Sequence, residues 1–351
     1  MRDYRSYAKL DVELEPGLVL VTGPNGAGKT NLLESLHVGT QGFSPRTRAD
    51  AQLVRFGREA ARVALRGDRA GLRLDLEVTL ELGSGKRASV NGARLRAAEQ
   101  LRSEVTTLVF TPDRLVVVKG GPAARRAYFD RVLGRLNPAR AGLSAEYGAA
   151  VGQRNAALRR VAQGLSTREA LAPWNEQVSA LAADLVGGRH ETIAALQPRF
   201  AERAAELGLP EAELRYEGEA PSSAELEARI DRDLERGATG VGPHLDDLGV
   251  LSASRDLRTF GSQGEQRLAV LALLLGEAEL LDERRGVRPL LLLDDVLSEL
   301  DGNRRRILAE RLREGGQALV TSASRSALPG EPSQLLEVAL REDGTSEVRA
   351  A

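Results

Sequence analysis

The sequence predicts an α/β domain interrupted by an inserted all-helical lobe, and three stretches predict it. Residues 17–22 form a short apolar β-type run that leads directly into Gly23-Pro24-Asn25-Gly26-Ala27-Gly28-Lys29-Thr30 and then a helical pattern. Residues 290–293 are four leucines ending in Asp294-Asp295, the pattern of a parallel strand buried on both faces. Between them, residues 121–236 carry almost no strand pattern and are rich in Ala, Leu, Glu and Arg. The chain therefore divides into a discontinuous α/β domain, 1–117 plus 237–351, and a helical domain, 118–236.

The first stretch fits G-x-x-x-x-G-K-[ST] at every fixed position, with a strand before it and a helix after it. Glycines let backbone N–H groups wrap a phosphate, and the helix N-terminus adds the positive end of its dipole. The segment from Gly23 to Asn31, with Pro24, Asn25, Gly26, Ala27 and Gly28 between, is thus expected to bind a nucleoside triphosphate, which the family resemblance below makes ATP. Lys29 is expected to reach the β- and γ-phosphates, and the Thr30 hydroxyl to ligate Mg²⁺. Leu32, Leu33 and Leu36 share one face of the following helix and anchor it to the core.

In chain order, strands are expected over 2–10 and 18–22 around the Pro16-Gly17 turn. A polar loop with Arg46 and Arg48 occupies 39–50. From Leu72 to Leu82 the residues alternate strictly, with Arg73, Asp75, Glu77, Thr79 and Glu81 outward, as in a half-exposed antiparallel strand. Gly83-Ser84-Gly85 turns the chain into a return strand from Arg87, and another strand covers 106–110. Pro138, Pro173, Pro198, Pro210 and Pro221 then cut the helical lobe into segments. A mostly apolar helix over 268–281, the strand ending at Leu293, a helix near 303–313 and a strand over 317–321 complete the pattern.

Composition narrows the possibilities. The 351 residues are 42% hydrophobic and carry a net charge of −1, so bulk basicity gives no case for nucleic acid. There are no cysteines and only three histidines, which excludes disulfides and thiolate metal sites. No apolar run approaches the roughly 20 residues of a membrane span, and no signal-like segment opens the chain. The cytoplasm is the expected compartment. Charge is unevenly placed: residues 114–160 hold ten basic and two acidic residues, and 169–236 hold seven basic and fifteen acidic.

Asp294 follows the four-leucine strand as a Walker B carboxylate would, positioned for the Mg²⁺ beside Thr30, and Asp295 is placed to activate a water. Ahead of the apolar helix, Ser262-Gln263-Gly264-Glu265-Gln266 make a second phosphate-binding helix end. One P-loop has no use for two such ends, so the second is expected to meet the γ-phosphate held by another copy, in a head-to-tail two-fold dimer.

These motifs, with Ser298-Glu299-Leu300-Asp301 as a D-loop, resemble the ABC-type ATPases. Within that group the chain resembles the RecF family of recombination mediators. The resemblance rests on Arg2-Asp3-Tyr4-Arg5-Ser6, the stretch from Gly120 to Asp130, Gln153-Arg154-Asn155, Gly242-Pro243-His244-Leu245-Asp246-Asp247 and the stretch from Leu293 to Asp301. It implies an ATP-dependent homodimer on gapped or junction DNA, slow hydrolysis for release, and cooperation with RecR and RecO in loading RecA. It also brings His244 into the site list. No switch histidine follows the strand over 317–321, where Thr321 and Ser322 stand, and no Q-loop glutamine follows 106–110. Arg46 or Arg48 is expected at the nucleotide phosphates, as in the related chromosome-organising ATPases. DNA backbone contacts are expected from Lys119, Arg125, Arg126, Arg131 and Arg135, salt-sensitive and independent of sequence. The rival readings are a nucleotide-binding subunit of a membrane transporter and a structural chromosome-organising head.

Overall fold

The computed structural model describes residues 1–69, 71–286 and 288–350. The chain opens on a hairpin, β1 (Arg2–Tyr4) and β2 (Tyr7–Lys9), where the sequence suggests one strand. The chain reverses over Arg5-Ser6, with Arg5 at φ 49°. Strand β3 (Leu18–Thr22) is buried at all five positions and feeds α1 (Lys29–Gln41). That helix ends at Gly42 in the left-handed region, whose N–H closes on the Val38 carbonyl. Strands β4 (Ala60–Arg69), β5 (Leu72–Glu81), β6 (Gly85–Val90) and β7 (Ala93–Arg94) run antiparallel, and β8 (Thr107–Phe110) follows.

The alternation in β5 sets its faces as expected, with Leu76, Val78 and Leu80 almost fully buried. The ends of the same run, Leu72 and Leu82, are exposed. Periodicity assigns a face to a side chain but does not say how far the covering layer extends.

The middle of the chain holds α2 (Val116–Lys119), α3 (Pro122–Leu136), α4 (Leu143–Ala162), α5 (Ala172–Glu206) and β9 (Ala212–Tyr216). Then come α6 (Ser223–Ala228), α7 (Ile230–Arg236), β10 (Leu248–Ser252), β11 (Arg255–Asp256), α8 (Leu257–Phe260) and α9 (Gln263–Arg285). The chain closes with β12 (Leu290–Leu293), α10 (Gly302–Glu314), β13 (Ala318–Ser322), β14 (Gln334–Leu340) and β15 (Ser346–Ala350).

Three expectations need correction here. The segment 118–236 is not all helical, because β9 pairs antiparallel with β10, and Gln197 of α5 bonds the backbone of Ala212 and Leu214. Its period-two pattern, Ala212, Leu214 and Tyr216 inward, spans five residues inside a helix-rich composition. Pro198 does not end a helix; it lies inside the 35-residue α5. The domain boundaries also move: the compact units are Met1–Asp113 with Gly286–Ala351, and Arg114–Arg285. Residues 237–285 join the second unit because β10 pairs with β9 and α9 packs along α5.

In the first unit the central sheet has the order β15-β14-β3-β13-β12-β8. All of its pairings are parallel except β14 with β15. Parallel pairing brings the carboxyl ends of β3, β13 and β12 to one edge, which is where open α/β sheets place their ligands. Helix α1 seals this sheet through Leu32, Leu33 and Leu36 against Val19, Val21, Leu292 and Leu319. Each such side chain contributes roughly 1.5–3 kcal/mol by burial.

Candidate nucleotide site

The loop between β3 and α1 is built on glycines at positive φ, and two of them, Gly23 and Gly28, have no room for a Cβ. Gly23 has φ 146°, and a Cβ there would lie 2.1 Å from the Val338 carbonyl oxygen. Gly28, at φ 115°, is the N-cap of α1, and a Cβ would lie 2.4 Å from Ser346 Oγ. No side chain caps α1, and no acidic residue stands in its first turn. The first-turn N–H groups therefore face out with the dipole unopposed, the condition for an anion site.

Lys29 curls back over this loop, its Nζ donating to the carbonyls of Gly23 at 2.7 Å and Pro24 at 2.9 Å. Burial lowers its pKa, and the charges of Asp295 and Asp294 partly offset that. The Thr30 hydroxyl lies 3.0 Å from both carboxylate oxygens of Asp294, across 264 residues of sequence. Thr321 of β13, between the two motif strands, completes the arrangement. Its Oγ1 donates to Asp294 at 2.7 Å and accepts the Asp295 N–H at 2.9 Å. Asp295 is exposed and sits at φ 49°, a strained setting for a non-glycine residue. Ser298 Oγ donates to the Asp295 carbonyl, and Asp301 caps α10 through the Arg304 N–H.

The hard-oxygen pair of Thr30 and Asp294 fits Mg²⁺, which takes one or two protein oxygens and fills its shell with phosphates and water. Among the described residues no cluster of three His, Cys, Asp or Glu side chains forms a self-sufficient metal site. A cation bound through substrate phosphates needs none.

Motif spacing misses a brace that surrounds this loop. Glu34 of α1 is fully buried and receives two hydrogen bonds from the Arg5 guanidinium at 2.9 Å and one from Ser44 at 2.6 Å. Burial would raise its pKa, but those bonds and the charges of Arg5 and Arg46 outweigh it and hold the carboxylate low. Arg46 is exposed, 3.6 Å from Glu34, and donates to Asn31 at 3.2 Å. The expected loop arginine is thus tied to the P-loop helix, whereas Arg48 is exposed in the same loop. Behind the loop, Ser346 donates to the Ala27 carbonyl and lies 2.7 Å from Ser6 Oγ, Ser6 accepts from Asn31, and Tyr7 donates to the Gly28 carbonyl. The available sequence signal was a buried-face position occupied by a glutamate.

The second unit carries the other motif. Ser262, Gln263 and Gly264 are exposed at the start of α9. Ser262 and Glu265 form a reciprocal capping box, the Ser262 N–H to Glu265 at 2.7 Å and the Glu265 N–H to Ser262 Oγ at 3.2 Å. Backbone and side-chain bonds from Ser262 hold the Glu265 pKa low. Gln266 is buried, its amide spent on the carbonyls of Leu257 and Gly261, so it belongs to the packing of α8 and not to the exposed end.

Three of the expected DNA contacts are engaged elsewhere. Arg125 is almost fully buried, bonded to Asp247 and to the carbonyls of Val118 and Gly120. Arg126 bonds the Asp246 carbonyl, and Arg135 pairs with the buried Glu277. Lys119 and Arg131 are exposed. His244 is internal, with the Tyr147 hydroxyl 2.8 Å from Nδ1 and the Thr239 carbonyl 3.1 Å from Nε2. Those partners fix the neutral ring with its proton on Nε2, and burial lowers its pKa.

Comparison with known proteins agrees with this geometry. The family model described as the RecF/RecN/SMC N-terminal domain matches residues 1–347. A "DNA replication and repair protein RecF" from Acidothermus cellulolyticus is 40% identical over 345 residues, covering 92% of each chain. One from Heliobacterium modesticaldum is 35% identical, covering 95% of this chain and 92% of the relative. A solved RecF with ATP, described as the recombination mediator of the RecFOR pathway, superposes with TM-score 0.85. It is 28% identical, covering 99% of this chain and 96% of that one. An SMC head bound to the C-terminal winged-helix domain of ScpA shares the fold at TM-score 0.62 and 16% identity, over 100% of this chain and 95% of that one. Among the described residues no helix is long and apolar enough to cross a membrane. The chain belongs to the RecF family of DNA replication and repair proteins, with the ABC-type ATPase fold that this family shares with SMC heads.

Proposed function

We propose that this chain is an ATP-dependent DNA clamp of recombinational repair. The observation that carries the reading is the contact of Thr30 with Asp294 at the mouth of an uncapped, glycine-built P-loop. In this reading the loop amides and Lys29 hold the β- and γ-phosphates of ATP, and Lys29 exchanges its two carbonyl bonds for phosphate oxygens. Mg²⁺, held by Thr30 and Asp294, supplies charge neutralisation on those phosphates when bound. Thr321 fixes the Asp294 rotamer and the Asp295 backbone together. Asp295, fully able to reach solvent, orients or deprotonates the attacking water. Ser262, Gln263 and Gly264 of a second copy close on the γ-phosphate, giving a two-fold dimer, with Ser298 and Asp301 as D-loop residues at its interface.

The dimer holds duplex or gapped DNA, slow hydrolysis releases it, and RecR and RecO act with it in loading RecA. Repair-protein relatives along nearly the whole chain favour this over a transporter subunit. The test is fluorescence anisotropy of a labelled duplex with a single-strand extension, titrated at fixed salt with ATP or ADP. Tight binding with ATP alone is expected. Equal binding in both nucleotides, or none, refutes the clamp.

A further inference from the structure

Charge in the second unit is partnered unevenly. Arg125, Arg135, Arg154 and Arg189 are each paired with an aspartate or glutamate and largely withdrawn from solvent. Five other arginines, Arg159 and Arg160 in the last turn of α4 and Arg229, Arg232 and Arg236 at α7, have no hydrogen-bond or ion-pair partner among the described residues. Packing gathers them at one end. Leu158 of α4 and Ile230 of α7 share an apolar cluster with Val161 and Leu234. Arg159 Cγ lies 4.0 Å from where a Cβ on Gly237 would stand. Arg236 Nη1 and Arg229 Nη2 converge on Gly240, at 3.1 and 3.8 Å from the corresponding point, with Asp233 Oδ1 at 3.2 Å from it. The Arg229 Nε is buried without a partner.

The acidic residues of this end are shared with other donors. Asp233 is taken by Arg154 and the Gly240 N–H, Asp231 by Arg168, and Glu227 by Asn175. That leaves Glu235 on α7. The five guanidinium groups outnumber the carboxylates that this end shares with other donors, and an external anion relieves their mutual repulsion. No aromatic residue occurs in 155–172 or 226–241, so nothing there can stack on bases.

We propose that this arginine end, and not the face of α3, grips a nucleic-acid duplex by its phosphate backbone. The proposal rests on the DNA-clamp reading and names the surface that reading requires. The experiment compares the ATP-loaded wild type with Arg159→Ala/Arg160→Ala/Arg232→Ala in duplex titrations at several salt concentrations. None of the three side chains makes a bond, so the variant's thermal melt serves as a folding control. The expected result is roughly tenfold or greater weakening near 0.1 M salt, with the salt slope shallower by about 2–3. Unchanged affinity and slope would overturn the proposal, as would a larger loss in Lys119→Ala/Arg131→Ala. So would a defect confined to binding of anionic phosphatidylserine vesicles. No duplex binding by the wild type would instead remove the clamp reading itself, and this surface with it.

Discussion

The chain has two helix ends that the sequence marks for phosphate, and they are built differently. At α1 the N-cap is Gly28, no side chain closes the end, no carboxylate stands in the first turn, and Lys29 adds a positive charge. At α9 the end is closed by its own box, with Ser262 Oγ occupied by the Glu265 N–H and a carboxylate in the first turn. The first is preorganised for a polyanion in the free protein. The second is content without one, and a γ-phosphate must displace or share the cap and face the Glu265 charge. In the proposed reading, the first end binds nucleotide alone and the second only joins a nucleotide already bound. That is the asymmetry an ATP-gated dimer needs.

The comparison breaks most clearly at Lys29. Replacing the ammonium by alanine is expected to weaken ATP binding more than roughly 100-fold, since charged phosphate bonds worth about 3 kcal/mol disappear. Isothermal titration would read it, and near-normal affinity would show that α1 is not the primary end. Next in size is Ser262→Arg, whose bulk blocks the second end. Its ATP affinity should match wild type while the ATP-dependent dimer weakens at least roughly tenfold by sedimentation velocity. A normal dimer would refute the in-trans role.

Glu265→Ala sharpens the comparison, because it loosens the cap and removes the opposing charge together. The melt should fall by up to about 1 kcal/mol of stability. The ATP-bound dimer should at the same time live longer, and a shorter lifetime would mean that the box itself is the contact surface. The smallest effect is on pH. The Glu265 pKa is lowered in the folded state, so its capping contribution is present above the ordinary value of 4.5 and fades as pH falls through the lower folded value. Hydrogen-exchange protection of the first α9 amides should drop between about pH 5 and 3 more than that of the first α1 amides. Equal loss at both ends would remove the cap as the cause.

Much of the geometry of the candidate nucleotide site was legible because its determinants are local. Glycines at fixed offsets specify a backbone path, and β3, the loop and the start of α1 are contiguous. The four-leucine strand announced its burial and delivered Asp294. What escaped were partners chosen by packing: Thr321, whose neighbours come from a strand register, and Glu34, whose cation arrives from the N-terminal hairpin. Nothing in the spacing of Arg125 or Arg135 shows that Asp247 or Glu277 would meet them.

By itself the sequence determined the P-loop, the strands that flank it, the helix that follows Ser262–Gln266 and the family to which the chain belongs. These follow from short-range backbone preferences and side-chain periodicity, which act over a few residues. Only the tertiary structure decided which charges remain available, where the compact units divide, and that β9 interrupts the helical segment. Those outcomes depend on groups distant along the chain meeting at hydrogen-bond distance, as β9 does with β10 and as Arg125 does with Asp247 across 122 residues. Composition counts the charges, and packing assigns their partners.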